Sequence, residues 1–190
     1  MTIRFGLVLI AACAASAAEY VIDGAHSSVT FSVRHMMVTN VRGQFAGLKG
    51  TISYDPNNFS ACKVDASVEA GSINTGIVKR DDHLRSADFF DVAKFPTLSF
   101  KSTKWSREAG RIKVTGDLSM HGVTKSVVFD LDGPAPEVKS PDGGFRTGAT
   151  VTGRINRQDF GLKWNRVMEG GGLTVSEEVS ITLDIEATRK

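Results

Sequence analysis

The chain has 190 residues, 19 of them glycine, and carries a formal net charge of +2 at pH 7. This length fits one domain with a single sizeable core. Basic residues are dispersed among acidic ones, so the sequence lacks the strongly positive surface of nucleic-acid-binding proteins, and no nucleic-acid partner is expected.

The first 18 residues have the layout of a targeting segment and are set apart from the fold. Arg4 supplies the positive start, and an apolar run and several small residues lead to a predicted cleavage after Ala18. The predicted division is a signal peptide at 1–18 and a mature domain at 19–190, exported to the periplasm. The residues that precede Cys13 also resemble a lipobox, so a lipoprotein anchored at Cys13 is the alternative.

Strict alternation of apolar and polar residues recurs along the mature chain and predicts strands with one apolar face. In the second of these strands the apolar residues change register at Ala46-Gly47, which predicts a β-bulge or a sharp bend. Cys62 is the one cysteine outside the targeting segment, and we interpret it as a small buried thiol. In chain order, the eight predicted strands have apolar positions within residues 29–33, 41–54, 64–70, 98–100, 112–120, 127–131, 147–155 and 179–187.

Residues 80–96 interrupt the alternation. Charges of both signs crowd together there, and a pair of phenylalanines and a Phe-Pro stop follow. The pattern predicts a helix that begins near Ile77, with Asn74 or Thr75 as its cap, and a second short helical turn through the phenylalanine pair. Because the charges balance locally, we expect an ordered ion-pair network. The segment is interpreted as a helical cap on the strands.

Antiparallel strands with short turns and one helical insertion after the third strand predict an all-β protein, an eight-stranded antiparallel β-barrel. Strands of about ten residues would enclose a barrel roughly 25 Å tall. The predicted inner face mixes large with small residues, and this mixture has two interpretations. Either the small residues leave a long, narrow apolar space for a slender ligand, or large and small side chains interdigitate and fill the barrel. The pattern does not decide between them.

Catalytic and metal-binding signatures are missing from the sequence. The four histidines have no metal-ligand spacing, and there is no nucleophile elbow and no phosphate-binding loop. We therefore expect a protein that is not an enzyme, with no metal. A weaker hypothesis is an enzyme that acts on a bound lipid, with His83 and Asp82 as acid and base.

Several motifs give the mature chain a resemblance to the YceI-like family of secreted bacterial proteins. The segment 80–90 with Lys94-Phe95-Pro96 is the most specific of them, and the others are His26-Ser27, Phe31-Ser32-Val33-Arg34-His35, Val41-Arg42-Gly43-Gln44-Phe45, Thr115-Gly116-Asp117-Leu118, His121-Gly122-Val123-Thr124-Lys125, Ile155-Asn156-Arg157 and Asp159-Phe160-Gly161-Leu162. The resemblance implies a lipocalin-like barrel whose tunnel holds a long isoprenoid, such as a polyprenyl chain or the tail of a respiratory quinone, and no other cofactor.

The expected function is therefore periplasmic binding, storage or transport of a long-chain isoprenoid lipid. The alternatives are a structural or envelope-stress protein with a filled barrel, and a binder of another long-chain amphiphile. The expected partners are the lipid and, transiently, a membrane surface. A monomer and a homodimer are both compatible with the sequence.

Two sets of site residues are predicted, one from the alternate strand positions that face the barrel interior and one from position relative to the cap. The residues expected to contact the lipid are Phe31, Val33, Phe45, Ala66, Val68, Phe90, Phe100, Met120, Phe129, Ala149, Val151 and Leu183. The polar residues expected near the mouth or under the cap, where they would contact a head group or lock the helix, are Arg34, His35, Asp82, His83 and Arg85.

Overall fold

The structure, a computed structural model, describes residues 17–190. Residues 1–16 of the predicted targeting segment lie outside the described residues, and its cleavage after Ala18 stays a prediction. One α-helix is described, α1 (Val78–Arg85), with 3-10 turns at Phe59–Ala61, Ala70–Ser72 and Arg157–Phe160. The strands are β1 (Ala18–Ile22), β2 (Ser28–His35), β3 (Thr39–Phe45), β4 (Lys49–Tyr54), β5 (Lys63–Glu69), β6 (Thr97–Glu108), β7 (Arg111–Met120), β8 (Val123–Asp132), β9 (Val138–Lys139), β10 (Phe145–Asn156) and β11 (Val175–Arg189).

These strands close into an eight-stranded antiparallel barrel, as the alternation predicts. β1 and β2 lie end to end along β11 and together make one barrel strand. β3 and β4 make the next, because β3 pairs with β2 and β4 pairs with β1. Pairing then runs through β5, β6, β7, β8 and β10, and β10 returns to β11 over its whole length. Short β9 pairs only with the start of β10.

The predicted bend in the second barrel strand is confirmed. β3 ends at Phe45 and β4 begins at Lys49, and between them Gly47 has φ +72°, a left-handed backbone that favours glycine. The break lets Phe45 and Leu48 both be buried although they are three positions apart, a spacing that would place them on opposite faces of a continuous strand. The change of register of the apolar residues in the sequence therefore corresponds to a bend that curves the sheet.

The start of α1 differs from the sequence prediction. Ile77 precedes the helix with no side-chain cap, and Asn74 accepts a hydrogen bond from Gly76 instead. The buried Asp81 carboxylate reaches back from the first helical turn and accepts from the Thr75 backbone N–H at 2.9 Å and from its hydroxyl at 2.5 Å. The chain here reverses the predicted roles, because the helix supplies the acceptor and Thr75 supplies the donors. The predicted second helical turn is wrong, since residues 87–90 form a non-helical turn.

The expected ion-pair network is confirmed only in part: the charged side chains form separate exposed contacts, and Arg80 and Asp81 both bond Thr75 instead. Asp82 pairs with Arg85 at 3.1 Å, and Asp88 pairs with His83 at 2.8 Å. Exposed pairs of this kind contribute about 0–1 kcal/mol each. Arg85 also donates to the carbonyls of Gly71 and Ile73 at 2.9 and 2.8 Å, which ties α1 to the turn after β5. Arg85 therefore holds the helix in place.

Within residues 17–190, no helix combines the length and the apolar character needed to cross a bilayer.

Candidate functional site

A cavity of about 220 Å³ occupies the barrel interior. Residues from every barrel strand line it, and almost all of them are apolar. The exceptions are a few hydroxyl side chains, such as Thr30, Ser67 and Ser99. Such a lining suits the hydrocarbon part of a ligand, because it offers few groups that would need hydrogen bonds.

Part of the mixed inner face interdigitates. A Cβ on Gly116 would lie 2.4 Å from the Phe100 ring, and a Cβ on Gly153 would lie 2.4 Å from the Phe129 ring. The two rings lean on the glycines of neighbouring strands and meet edge to face with centroids 5.4 Å apart. The space beside these two glycines is therefore filled by the Phe100 and Phe129 rings and does not contribute to a cavity.

The rest of the inner face leaves the space that forms the cavity. Ala66 and Ala149 both line it. Phe31, Val151 and Leu183 also line it and are only half-buried, although they point into the barrel. Inward-facing apolar side chains keep accessible surface only where the interior is not filled. Both interpretations of the sequence pattern thus hold in part, and a void persists.

Ten of the twelve residues predicted to contact lipid line this cavity: Phe31, Phe45, Ala66, Val68, Phe100, Met120, Phe129, Ala149, Val151 and Leu183. The other two lie at its α1 end and do not line it. Val33 pairs with Val41 and Val179 near the end of β2. Phe90 packs perpendicular to Phe45 with centroids 5.6 Å apart and joins the two core clusters of that end. Contact with a lipid stays a prediction for all twelve.

None of the five polar residues predicted for the mouth or cap lines the cavity. Arg34 lies on the outside of the β2–β3 hairpin, where it donates to the carbonyl of Met37. His35 pairs with Thr39 and Val175 at the end of β2. Their contact with a head group stays a prediction that the geometry does not favour.

The three residues of α1 in that set form surface contacts of the helical segment. Asp82 and Arg85 bond each other as described above. His83 bonds Asp88 and meets the rings of Phe89 and Trp164 edge to face, with centroids 5.1 and 4.9 Å away. The sequence pattern missed Trp164, because its partners come from a distant part of the chain.

The α1 end of the barrel is densely packed. Ile73 is fully buried there, and Phe160 and Leu162 are 1% and 4% exposed. Arg157 crosses this end with only 4% exposure, and burial lowers the pKa of its guanidinium. The guanidinium donates to four backbone carbonyls, those of Leu162, Trp164, Val175 and Ser176. Arg157 thereby ties the 3-10 turn after β10 to the start of β11, and these groups close the α1 end.

The cavity extends from beneath this packed end toward the opposite end of the barrel. There it is lined by Tyr54 at the end of β4, by Trp105 near the β6–β7 turn and by Pro134 just after β8. Cys62 packs with Trp105 and is 5% exposed, and burial raises the pKa of its thiol, so the interpretation of a buried thiol is confirmed. The Trp105 indole Nε1 is buried without a hydrogen-bond partner among the described residues.

Three polar residues meet at this opposite end, and sequence reasoning did not select them. The Tyr20 ring lines the cavity, and its hydroxyl donates to Glu137 at 2.8 Å. Arg189 donates to the other oxygen of the same carboxylate at 3.0 Å. Arg189 continues the inward parity of β11, which could have identified it, whereas Glu137 lies in a loop whose path no periodicity predicts.

Among the described residues, one group of side chains has metal-ligand proximity: Asp23, His26 and Glu186. Arg146 bonds both carboxylates of this group. A cation is therefore already present as the guanidinium, and the group is an ion-pair network. Hydrogen bonds from His26, Ala25 and Arg146 lower the pKa of Asp23 to about 2, and Asp23 in turn raises the pKa of His26.

This network predicts an acid-dependent loss of stability. A carboxyl whose folded pKa is depressed contributes stability above its ordinary pKa, and the contribution is lost as pH falls from about 4 to about 2. We expect the margin by which the melting temperature of the wild type exceeds that of Asp23→Asn to be largest near pH 5–6 and to shrink as pH falls to about 2. It should also shrink in part as pH rises through the raised pKa of His26, because His26 then loses the charge that pairs with Asp23. Melting curves of both proteins across this range measure it. A margin that stays constant down to pH 2 would contradict the assignment.

Comparisons with known proteins identify the family to which the chain is similar. The family model described as YceI-like domain matches residues 20–187. A UPF0312 protein of Staphylococcus aureus strain MSSA476 is 36% identical over 168 residues, which are 88% of this chain and 96% of that protein.

Two solved structures resemble the fold. The YCEI protein of Campylobacter jejuni is 30% identical with a TM-score of 0.70, covering 82% of this chain and 89% of that one. A polyisoprenoid binding domain from Saccharophagus degradans has a TM-score of 0.66 at 16% identity, covering 92% and 99% of the two chains, and shows likeness of fold alone. The family match spans every barrel strand that encloses the cavity, and the chain belongs to the YceI-like family.

Proposed function

We propose that this protein binds a long isoprenoid lipid, such as a polyprenyl chain or the tail of a quinone, inside the barrel. The observation that supports the proposal is the apolar cavity within a closed barrel. The structural neighbour from Saccharophagus degradans carries the description of a polyisoprenoid binding domain, which is consistent with it. With the predicted signal peptide, the proposed role is storage or transport of that lipid in the periplasm.

The hydrocarbon tail would supply most of the affinity. Apolar burial contributes about 25 cal/mol per Å², or roughly 0.8 kcal/mol for each buried methylene. The lining has few polar groups, so the part of the cavity that would hold the tail has little means to recognise a polar group on the ligand. The same physics admits another long-chain amphiphile as the ligand, and this is the second candidate.

Catalysis by His83 and Asp82 receives no support from the geometry. His83 is bonded to Asp88, and neither His83 nor Asp82 lines the cavity. A lipid tail in the barrel would therefore be out of contact with both side chains. A lipid-binding role needs neither of them as acid or base.

The proposal predicts a lipid that co-purifies with the protein. We expect native mass spectra of protein exported by its own host to show an added mass, and organic extraction to release an isoprenoid. We also expect geranylgeraniol to raise the melting temperature of the delipidated protein, because a ligand that binds only the folded state stabilises it. A released fatty acid would favour the second candidate. No co-purifying lipid, together with an unchanged melting temperature, would favour a structural role.

A further inference from the structure

The turn between β2 and β3 exposes three successive apolar side chains. Met36, Met37 and Val38 are 47%, 69% and 76% exposed. The turn lies at the α1 end of the barrel, because β2 ends there beside the start of β11. Single apolar residues are common on protein surfaces, whereas apolar residues that lie together on a surface mark a contact with another molecule.

The backbone of this turn has a conformation that its residues do not favour. Met36 and Met37 have φ +49° and +59°, and the Val38 N–H donates to the His35 carbonyl at 3.0 Å, so the two methionines are the central residues of a tight hairpin turn. A turn with left-handed backbone at both central positions favours Asn-Gly, because most side chains are strained there. The turn itself therefore gives no reason for methionine, and what the two residues add is exposed apolar surface.

A second loop extends this surface. The loop before β11 carries Val167, which is 79% exposed, and Met168. The two loops touch, because a Cβ on Gly172 would lie 3.3 Å from the Met37 sulfur and 3.3 Å from the Met168 methyl group. The Met36 N–H also donates to the Thr174 carbonyl at 2.8 Å. Residues 36–38 with Val167 and Met168 are called the apolar edge below.

Cationic side chains accompany the apolar edge. Arg34 donates to the Met37 carbonyl at 3.1 Å, and the guanidinium of Arg166 lies over the Trp164 ring, 5.7 Å from its centroid. Neither guanidinium has a carboxylate at ion-pair distance in the part of the chain that the structure describes. The formally charged residues within 34–40 and 163–174 are three cations and one acid, namely Arg34, Lys163, Arg166 and Glu169.

We propose that the apolar edge docks the protein on a bilayer that contains anionic phospholipids. The methionine and valine side chains enter the boundary of the hydrocarbon region, and Arg34 and Arg166 lie among the phosphates. Binding of this kind gains from apolar burial and from attraction between basic residues and anionic lipids. A second copy of the chain fits the edge less well, because a symmetric contact would set the same cations against each other. The inference goes beyond the proposed function, since it concerns the outer surface and does not depend on what the cavity holds.

Replacement of Met36 by Asn and of Met37 by Gly separates docking from folding. Because Asn-Gly is the favoured pair for this turn, the double variant should melt at or above the temperature of the wild type. We expect its binding to vesicles of phosphatidylcholine with about one third phosphatidylglycerol to weaken about 10-fold or more, since two apolar side chains no longer enter the bilayer. Co-sedimentation of the delipidated exported protein with these vesicles measures it.

Arg166→Gln tests the contribution of charge. We expect it to weaken binding to the same vesicles about 5-fold, and to change binding to pure phosphatidylcholine by less than about 2-fold. Added salt should weaken binding of the wild type to the anionic vesicles.

Matched controls lie at the other end of the barrel, on β9. Val138 is 62% exposed and Lys139 is exposed beside it. Val138→Asn and Lys139→Gln remove an exposed apolar side chain and one positive charge far from the apolar edge. Both should leave binding to either kind of vesicle unaltered.

Several results would overturn the inference. If the Asn-Gly variant binds vesicles as the wild type does, or if Val138→Asn weakens binding equally, the apolar edge is not the docking surface. Equal losses in Arg166→Gln and Lys139→Gln would mean that net charge alone drives binding. A wild type that binds neither kind of vesicle would end the inference and leave lipid binding in the cavity untouched. A dimer that the Asn-Gly variant converts to a monomer would assign the edge to a second copy instead.

Discussion

Val151→Trp is expected to abolish lipid binding while the barrel stays folded. Val151 lies in the middle of β10, pairs with Leu183 and Leu131, and lines the cavity. An indole at this position would take up cavity space that the tail needs. Since each displaced methylene is worth about 0.8 kcal/mol, exclusion of a few of them weakens binding roughly 100-fold or more. Native mass spectrometry should show protein without added mass.

The matched control for this variant is Val128→Trp. Val128 lies on the neighbouring strand β8, is 49% exposed and does not line the cavity. The same increase in side-chain volume there should leave the bound lipid and its affinity unchanged. Loss of lipid from both variants, or from neither of them, would show that the cavity is not where the lipid binds.

Arg157→Met is expected to destabilise the fold by about 3–5 kcal/mol. The substitution keeps a long side chain but leaves the carbonyls of Leu162, Trp164 and Ser176 without the Arg157 donor at a buried site, while the Val175 carbonyl keeps its hydrogen bond from Asn165. Each orphaned buried acceptor costs about 1–3 kcal/mol, partly recovered by local rearrangement. For a chain of this length that loss lowers the melting temperature by roughly 10 °C, which calorimetry or circular dichroism measures.

Arg154→Met tests whether the effect comes from burial. Arg154 lies three residues earlier on β10, with its side chain 70% exposed in an ion pair with Glu178. Its replacement should change stability by no more than about 0.5 kcal/mol. Equal melting temperatures of the two variants would mean that these carbonyls do not depend on Arg157.

The two pairs of variants examine different parts of one molecule, the middle of the cavity and the packed α1 end. The groups around Arg157 make the α1 end a solid core, and the cavity runs from beneath that core to the loop that carries Glu137. The charged segment 80–96 therefore acts as part of a closed end, with Phe90 packed between two core clusters.

The amino-acid sequence by itself determined the eight-stranded barrel, the bend near Gly47 and ten of the residues that line the cavity. These features follow from parity, because successive residues of a strand face opposite sides of the sheet and the pattern of one strand can be interpreted alone. The pattern missed the short strand β1, which offers only Tyr20 and Ile22 as buried apolar positions.

Only the tertiary structure decided whether the barrel is filled and which of its ends is packed. The volume left inside the barrel depends on how rings from one strand lie over glycines of the next, as Phe129 lies over Gly153. The sequence of a single strand does not reveal such contacts between strands. Likewise, Tyr20, Glu137 and Arg189 are far apart in sequence, and the carboxylate comes from a loop without periodicity. Closure of the barrel brings these three side chains together at one end of the apolar cavity.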